Sequence, residues 1–429
     1  MFAKRRFSVL ALTLALSGTV VFAGARKETA GTADVLRVAL PGSLSTLDVN
    51  QEAGILNYYA AVIVQEGLVG ISNEGKIVPG LAESWTDTDA RVWKFQLRKN
   101  ARFHDGTPVT PEDVIYSISR AMDPVVSPGT NIYFSDNIVK MEKTGDYEVT
   151  ITLNEPSGSF LWAVSNTGGL FVTSRAWTER IEQGGTVGSP RDLIMGSGPY
   201  KVVEFSPGSH AAFEAASTWW GETPAIRRVY IGFIEDDNTR LLAFQQGEFD
   251  FTINIPLDQT AQWERINGIT VTTLSDRSYQ GLTIDPTVVP FDDIHARRAV
   301  AHAIDKAGIV QGILRGKGEA ATAIPSPLQF STVMSEAQAR AKLAAVFTYD
   351  YSLDKARGEL SRSRAAQGFS TTLTYPSNYQ SVGRASLVIA ESLRTIGINV
   401  EVKEIPLDQW LNEMGDGNQG IAWMIYGPT

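Results

Sequence analysis

Between residues 35 and 426 apolar positions recur with two different periods, and segments of the two kinds interleave. Val35-Leu36-Arg37-Val38-Ala39-Leu40 alternates and stops at Pro41-Gly42, which predicts a strand followed by a turn. Ile55 to Leu68 carries helical spacing and ends at Gly67 and Gly70. Trp93 to Leu97 and Tyr147 to Leu153 alternate as half-buried strands do. Thr110-Pro111-Glu112-Asp113 has the chemistry of a helix start. The threonine hydroxyl accepts from a free backbone amide, proline has no amide to leave unpaired, and the acids face the positive end of the helix dipole. Val114, Ile115, Ile118 and Met122 continue that helix.

Gly196-Ser197-Gly198-Pro199 marks a break. Beyond it, Tyr200 to Phe205 and Ala211 to Ala215 predict a hairpin around Pro207-Gly208. Val229 to Ile234 is a predicted strand, Asp237 to Gln246 a helix closed by Gly247, and Phe249 to Ile253 a further strand. His295 to Ile304 and Leu353 to Leu360 have helical spacing. Thr371 to Tyr375 predicts a strand, Val382 to Ile396 a long helix capped by Gly397, and Ile398 to Glu404 the next strand. Leu407 to Met414 reads as a short helix and Ile421 to Tyr426 as an apolar strand. From residue 371 onward the blocks are of βαβ type, so the fold class is α/β with mixed sheets. No internal repeat, low-complexity tract or long linker interrupts the pattern.

The first segment stands apart from this alternation. Lys4, Arg5 and Arg6 precede a nearly uncharged run from Phe7 to Phe22, and Ala23-Gly24-Ala25 offers small residues for cleavage. Residues 1–25 therefore read as a Sec-type signal peptide. A membrane anchor is the competing reading, but the run is short and is broken by Ser8, Thr13, Ser17, Gly18 and Thr19. No later apolar stretch approaches a transmembrane length.

The chain of 429 residues is 43% hydrophobic, enough for more than one core, and it contains no cysteine. Disulfides, thiolate catalysis and cysteine-ligated metals are excluded, as is a lipoprotein anchor, which points to the periplasm of a Gram-negative cell. The net charge is −9, and removing residues 1–25, with three positive and no negative residues, leaves about −12. An acidic chain without a basic run excludes nucleic acid as a partner.

Catalytic constellations are missing. There is no G-x-S-x-G elbow for a serine hydrolase. Gly312 to Gly318 imitates a phosphate loop, but three residues rather than four separate Gly312 from Gly316, and Gly318 stands where Ser or Thr must hold magnesium. It reads as a helix end and turn. His295 and His302 share a helical face two turns apart, about 10 Å, too far to share one metal comfortably. His104, His210, His295 and His302 read as surface or core histidines. Acidic pairs at Glu112-Asp113, Asp236-Asp237 and Asp292-Asp293 sit at helix starts, where they offset the dipole. The expectation is no enzyme, no cofactor and no metal site.

A series of blocks, in order, gives a positive reading. Glu66-Gly67-Leu68, Pro79 to Trp85, Trp93 to Arg98, Phe103 to Thr110 and Asp113-Val114 come first. Gly196 to Tyr200, Trp219-Trp220-Gly221, Gln246 to Asp250, Pro290-Phe291, Arg297-Arg298-Ala299, Ala303-Ile304-Asp305, Gly316 and Gly397 to Val400 follow. Over about residues 35 to 429 this strongly resembles the family 5 solute-binding proteins of ABC importers, which include dipeptide-, oligopeptide- and nickel-binding proteins. The blocks themselves read as scaffold: Asp105-Gly106 is turn chemistry, and Trp85, Trp93 and Trp220 are most simply core aromatics.

The resemblance implies a periplasmic-binding-protein-like, two-lobed clamp with an extra domain. Residues 34–65 and 195–285 form a discontinuous lobe I, 66–194 the extra domain, and 286–429 lobe II. The family continues past Gly427-Pro428-Thr429 to complete lobe I, so the resemblance implies either a fragment, the favoured expectation, or a truncated gene. It further implies a monomer that captures a peptide or other small polar solute by hinge closure and delivers it to an inner-membrane ABC permease. Peptide binders are expected to use an Asp where this chain has Thr429, and dipeptide binders an Arg in the loop that here runs uncharged from Tyr375 to Gly383. Both clamps are absent, which points to a neutral polar ligand such as an oligosaccharide, or to a longer peptide held by its backbone, and predicts that dipeptides do not bind.

Because ligands of open α/β sheets collect beyond strand ends, the candidate ligand residues are Tyr375, Asn378, Tyr379, Tyr426, Gly427, Thr429, Ser43, Leu44, Ser45 and Asn254. The competing reading for each is a loop residue satisfied by its neighbours; for Tyr375 and Tyr379 it is packing on the lobe surface. A secreted α/β hydrolase is the alternative from another class, and a chemoreceptor-coupled sensor would look the same in sequence.

Overall fold

A computed structural model describes residues 34–426 apart from 53, 74, 129–133, 135–136, 275–277, 331–332, 378, 407–408, 411–412 and 414–419. The signal-peptide reading lies outside the described residues, as do Asn378, Gly427 and Thr429 and most of the predicted helix at 407–414. In chain order the elements begin β1 (Val35–Leu40), α1 (Ile55–Ala61), β2 (Val69–Ile71), β3 (Ile77–Pro79), β4 (Ala82–Thr88) and β5 (Val92–Leu97). Then come α2 (Pro111–Met122), β6 (Ile138–Gly145), β7 (Glu148–Leu153), α3 (Phe160–Ala163), α4 (Arg175–Glu182), β8 (Tyr200–Ser206), β9 (His210–Ala215) and β10 (Arg228–Phe233). The remainder is α5 (Asp237–Gln245), β11 (Phe251–Thr252), α6 (Thr260–Trp263), β12 (Tyr279–Ile284), α7 (Ile294–Ala303), α8 (Lys306–Gly312), α9 (Glu336–Leu343), α10 (Leu353–Arg362), β13 (Phe369–Pro376), α11 (Gln380–Arg394), β14 (Ile398–Ile405) and β15 (Ile421–Tyr426). The α/β class expected from the sequence holds.

Two compact units emerge. The first comprises residues up to Leu36, Leu47–Phe205 and Ala212–Tyr230; the second Arg37–Thr46, Ser206–Ala211 and Ile231–Thr429. One five-stranded sheet runs in the order β11-β1-β10-β9-β8.

In the first unit the antiparallel sheet β4-β5-β7-β6 packs a core of Phe95, Leu97, Val149, Ile151, Val114 and Ile118. Helix α2 starts as the sequence predicts. The Thr110 hydroxyl accepts from the Asp113 amide at 3.3 Å, and Asp113 accepts from the Thr110 amide at 2.9 Å, closing a capping box. Arg120 on the same helix is buried with Asp48, at 2.6 Å, and also reaches Glu182 at 3.2 Å. Helix α1 ends at Ala61 rather than near residue 68; residues 62–64 follow as a turn in which the Val64 and Gln65 amides donate to the Ala61 carbonyl at 2.9 and 2.8 Å.

The Gly196–Pro199 break explains itself at close range. A side chain on Gly196 would collide with the Val64 carbonyl, and the Gly198 backbone donates to that same carbonyl at 2.9 Å. Beside it, the Glu66 carboxylate collects the indole N–H of Trp220 at 3.0 Å, that of Trp219 at 3.4 Å and the Ser197 hydroxyl at 3.1 Å. The Arg98 guanidinium lies 3.8 Å above the Trp220 ring. Burial outweighs these donors and pushes the Glu66 carboxyl up to about 7.

Among the described residues of the second unit, two apolar clusters stand out. Ala39 of β1, Leu241 and Phe244 of α5 and Trp263 of α6 form one, with Ile255, Ile266, Ile269 and Val271 against it. The other gathers Phe291, Ala299, Val300, Leu360, Leu373, Val382, Ile389, Leu393 and Trp423, from α7, α10, α11 and the strands β13 and β15. Strands β13 and β14 pair in parallel across α11, the βαβ unit read from the sequence, and β12 pairs antiparallel with β15. The stretch Gly312–Gly318 is the predicted helix end and turn: Arg315, Gly316 and Gly318 all have positive φ.

Candidate ligand site

The described candidate residues fall into two groups, at the ends of strands from three sheets. Strands β1 and β11 run parallel, with Val38 opposite Phe251 and Ala39 opposite Thr252, so both chains leave the sheet at the same end. There Leu44 is buried and its carbonyl accepts from the Gly208 amide at 3.0 Å, while Ser43 and Ser45 are exposed. Asn254 is exposed in a left-handed conformation, φ 53°, which asparagine tolerates better than most residues. Strand β11 is two residues long, shorter than the predicted 249–253, and the chain turns out of it just before Asn254.

The described members of the second group, Tyr375, Tyr379 and Tyr426, lie at or just past the ends of β13 and β15. The Tyr375 hydroxyl donates to Glu404 of β14 at 2.7 Å. Burial first, and then this carboxylate, push the phenol up to about 12, so it remains a donor at every physiological pH. Its ring lies over Gly383 of α11, where a Cβ would stand 2.5 Å from the ring. Glycine inside a helix costs about 1 kcal/mol relative to alanine, and here it makes room for the tyrosine. Tyr379, 37% exposed, begins α11 without a side-chain cap. Tyr426 pairs with Tyr279 across β15 and β12.

Two ion pairs bridge elements of these two cores. Arg384 of α11 lies 3.0 Å from Asp258, in the loop from β11 to α6. Lys317, in the turn after α8, lies 3.9 Å from Glu264 and donates to the Thr273 hydroxyl at 3.3 Å. The side chains of the first pair are 40% and 31% exposed. Ion pairs this wet contribute ~0–1 kcal/mol each, whereas a fused apolar core would gain ~25 cal/mol per Å² buried. Sequence reading missed these four charged residues. Arg384 stands one position past the uncharged loop, and only tertiary structure brings it to Asp258.

The histidines occupy ordinary structural positions. His104 is half-buried, and burial holds it below its usual range against the opposing pull of the Gly198 carbonyl at 3.0 Å. His295 meets Glu359 at 2.7 Å and His302 the Asp350 carbonyl at 2.8 Å. Among the described residues no group of three or more His, Cys, Asp or Glu is placed to hold a metal, and no helix is long and apolar enough to cross a membrane.

Comparison with known proteins decides the family. The family model "Bacterial extracellular solute-binding proteins, family 5 Middle" matches residues 76–429. The chain is a family 5 solute-binding protein. Among the similar relatives of this family 5 chain is the probable D,D-dipeptide-binding periplasmic protein DdpA of Escherichia coli K12, 25% identical over 99% of this chain and 79% of DdpA. The glutathione-binding protein GsiB of Escherichia coli O1:K1 / APEC is 26% identical over 91% of this chain and 74% of its own length. The ABC transporter-associated periplasmic binding protein DppA of Helicobacter pylori, solved with the peptide STSA, superposes with a TM-score of 0.78 at 24% identity, over 92% of this chain and 78% of that one. That likeness establishes the periplasmic-binding-protein fold for the family 5 chain, as the block pattern implies.

Proposed function

We propose that this family 5 protein is the periplasmic capture subunit of an ABC importer. It takes a peptide or a related small polar solute between residues 195–285 with 34–65, acting as lobe I, and residues 286–429, acting as lobe II. It hands the solute unchanged to an inner-membrane permease. The observation that carries this reading is the family match across residues 76–429. The relatives named for D,D-dipeptide and glutathione, and the fold neighbour holding STSA, favour a peptide-like solute. Two apolar cores, each with its own packing and bridged by two partly exposed ion pairs, support this reading, since hinge closure moves bodies that keep their own packing. Ligand touching both bodies then supplies the differential affinity that closes them.

In this reading Ser43, Leu44, Ser45 and Asn254 present one wall, with the Leu44 backbone as a rigid contact. Tyr375, Asn378, Tyr379, Tyr426, Gly427 and Thr429 present the other. Tyr375 contributes its ring edge, since its hydroxyl is committed to Glu404. A thermal-shift panel of dipeptides, tri- to pentapeptides, glutathione and oligosaccharides tests it. Longer peptides are expected to raise the melting temperature while dipeptides leave it unchanged. A panel in which no solute raises it would overturn the reading.

A further inference from the structure

The polar contacts between the two cores suggest a role beyond filling space. We infer that Asp258–Arg384 and Lys317–Glu264 are an ionic latch that sets how readily the two halves of the second unit close, and hence the affinity for whatever solute is captured. The inference deepens the proposed function and rests on its reading of residues up to 285 and from 286 as the two moving bodies.

Each side of the latch is anchored in a different core. Asp258 and Glu264 flank Trp263, which is 1% exposed in the core with Phe244 and Leu241, and Ile255 precedes them in that core. Arg384 sits on α11 between Val382 and Ala385, both buried in the other core. Lys317 closes the turn after α8, whose Ile309 packs on that second core, and the turn is held by the Gly316 amide donating to the Val310 carbonyl at 2.9 Å. The acids thus belong to one body and the bases to the other.

The chemistry suits a latch better than a permanent weld. With 27–54% of each side chain still exposed, the charges retain most of their hydration when the pairs separate, so the closed form gains little from each. Their attraction is exerted through water and is therefore sensitive to salt. Both pairs have the same polarity, acid on one body and base on the other, so their effects add in the same direction. A closed-state bias of this kind raises apparent affinity without touching the solute, because affinity scales with the population of the binding-competent form.

The chain's lack of cysteine allows a direct test on the full protein. Spin labels at Glu248→Cys and Asn399→Cys, both exposed and one on each body, report the distance between the two. The distance distribution is measured without added solute at about 50 mM and about 1 M NaCl, where the screening length falls from above 10 Å to about 3 Å. The inference expects high salt to move population toward longer distances. It expects Asp258→Asn, Arg384→Gln and Lys317→Gln each to change the short-to-long ratio roughly two- to five-fold at low salt and to blunt the salt response. The exchanged pair Asp258→Arg with Arg384→Asp is expected to restore both. Identical distributions and salt responses in the parent and all three single variants would overturn the latch, as would an exchanged pair no different from the single variants. This outcome is separable from the thermal-shift panel: a protein that binds peptide with unmoved distances loses only the latch, and one with a salt-sensitive distance that binds no solute loses only the function.

Discussion

Glu66 should make this protein lose stability as the pH rises toward neutrality, the reverse of the usual behaviour of a carboxylate. In the unfolded chain the group titrates near 4.5; in the folded protein burial pushes it up to about 7 against the pull of Trp220, Trp219 and Ser197. Between those two values the folded state keeps a proton that the unfolded state releases. Its contribution is therefore full below pH 4.5, declines as pH rises, and is gone above pH 7. At about 1.4 kcal/mol per pH unit, the full decline is about 3.5 kcal/mol as an upper figure. Glu66→Gln removes the titration and keeps an acceptor for the Trp220 indole. The difference in unfolding free energy between Glu66→Gln and the parent should thus shift by about 2–3 kcal/mol in favour of the variant between pH 4.5 and pH 8. Because two units can unfold separately, a local readout is also needed. The emission of Trp219 and Trp220 should titrate in the native protein with a midpoint near 7, and Glu66→Gln should abolish that step. Parallel pH profiles for the two proteins, with no native fluorescence transition near neutrality, would refute the reasoning.

Asp48→Ala leaves the buried Arg120 with Glu182 alone and should cost about 3 kcal/mol in urea unfolding, against less than 1 kcal/mol for truncating an exposed acid such as Glu179. Thr110→Ala removes one half of the α2 capping box and should lower stability by about 1 kcal/mol by the same measurement, with Thr110→Ser close to the parent. Gly383→Ala drives a methyl group into the Tyr375 ring and should cost about 1–3 kcal/mol in calorimetry, and the Gly383→Ala, Tyr375→Ala double variant should recover part of the loss.

Most of the scaffold was legible in the chain because its signals are local. The Thr110-Pro111 start, the Gly247 and Gly397 stops and the apolar strand at 421–426 all appear where the pattern puts them. The misreadings have local causes of another kind. Helical spacing in 55–68 outlasts the helix, which gives way to a turn at 62–64, and the 249–253 strand is two residues long and stops short of the left-handed Asn254. The family blocks proved to be scaffold: Gly196 and Gly198 serve close backbone approach, and Trp220 binds Glu66 instead of simply filling the core. The site was less legible. That the Tyr375 hydroxyl is occupied depends on the β13–β14 register, which sets Tyr375 opposite Glu404. The pairing of Asp258 with Arg384 depends on how two cores meet, which no local pattern encodes.

Capture without chemistry is put to the test by native mass spectrometry of the purified protein incubated with a defined mixture of tri- to pentapeptides. The expected spectrum shows one bound peptide per chain, released on denaturation with its mass unchanged. A spectrum with no adduct from any peptide, or with the peptides returned as cleaved products, would contradict it.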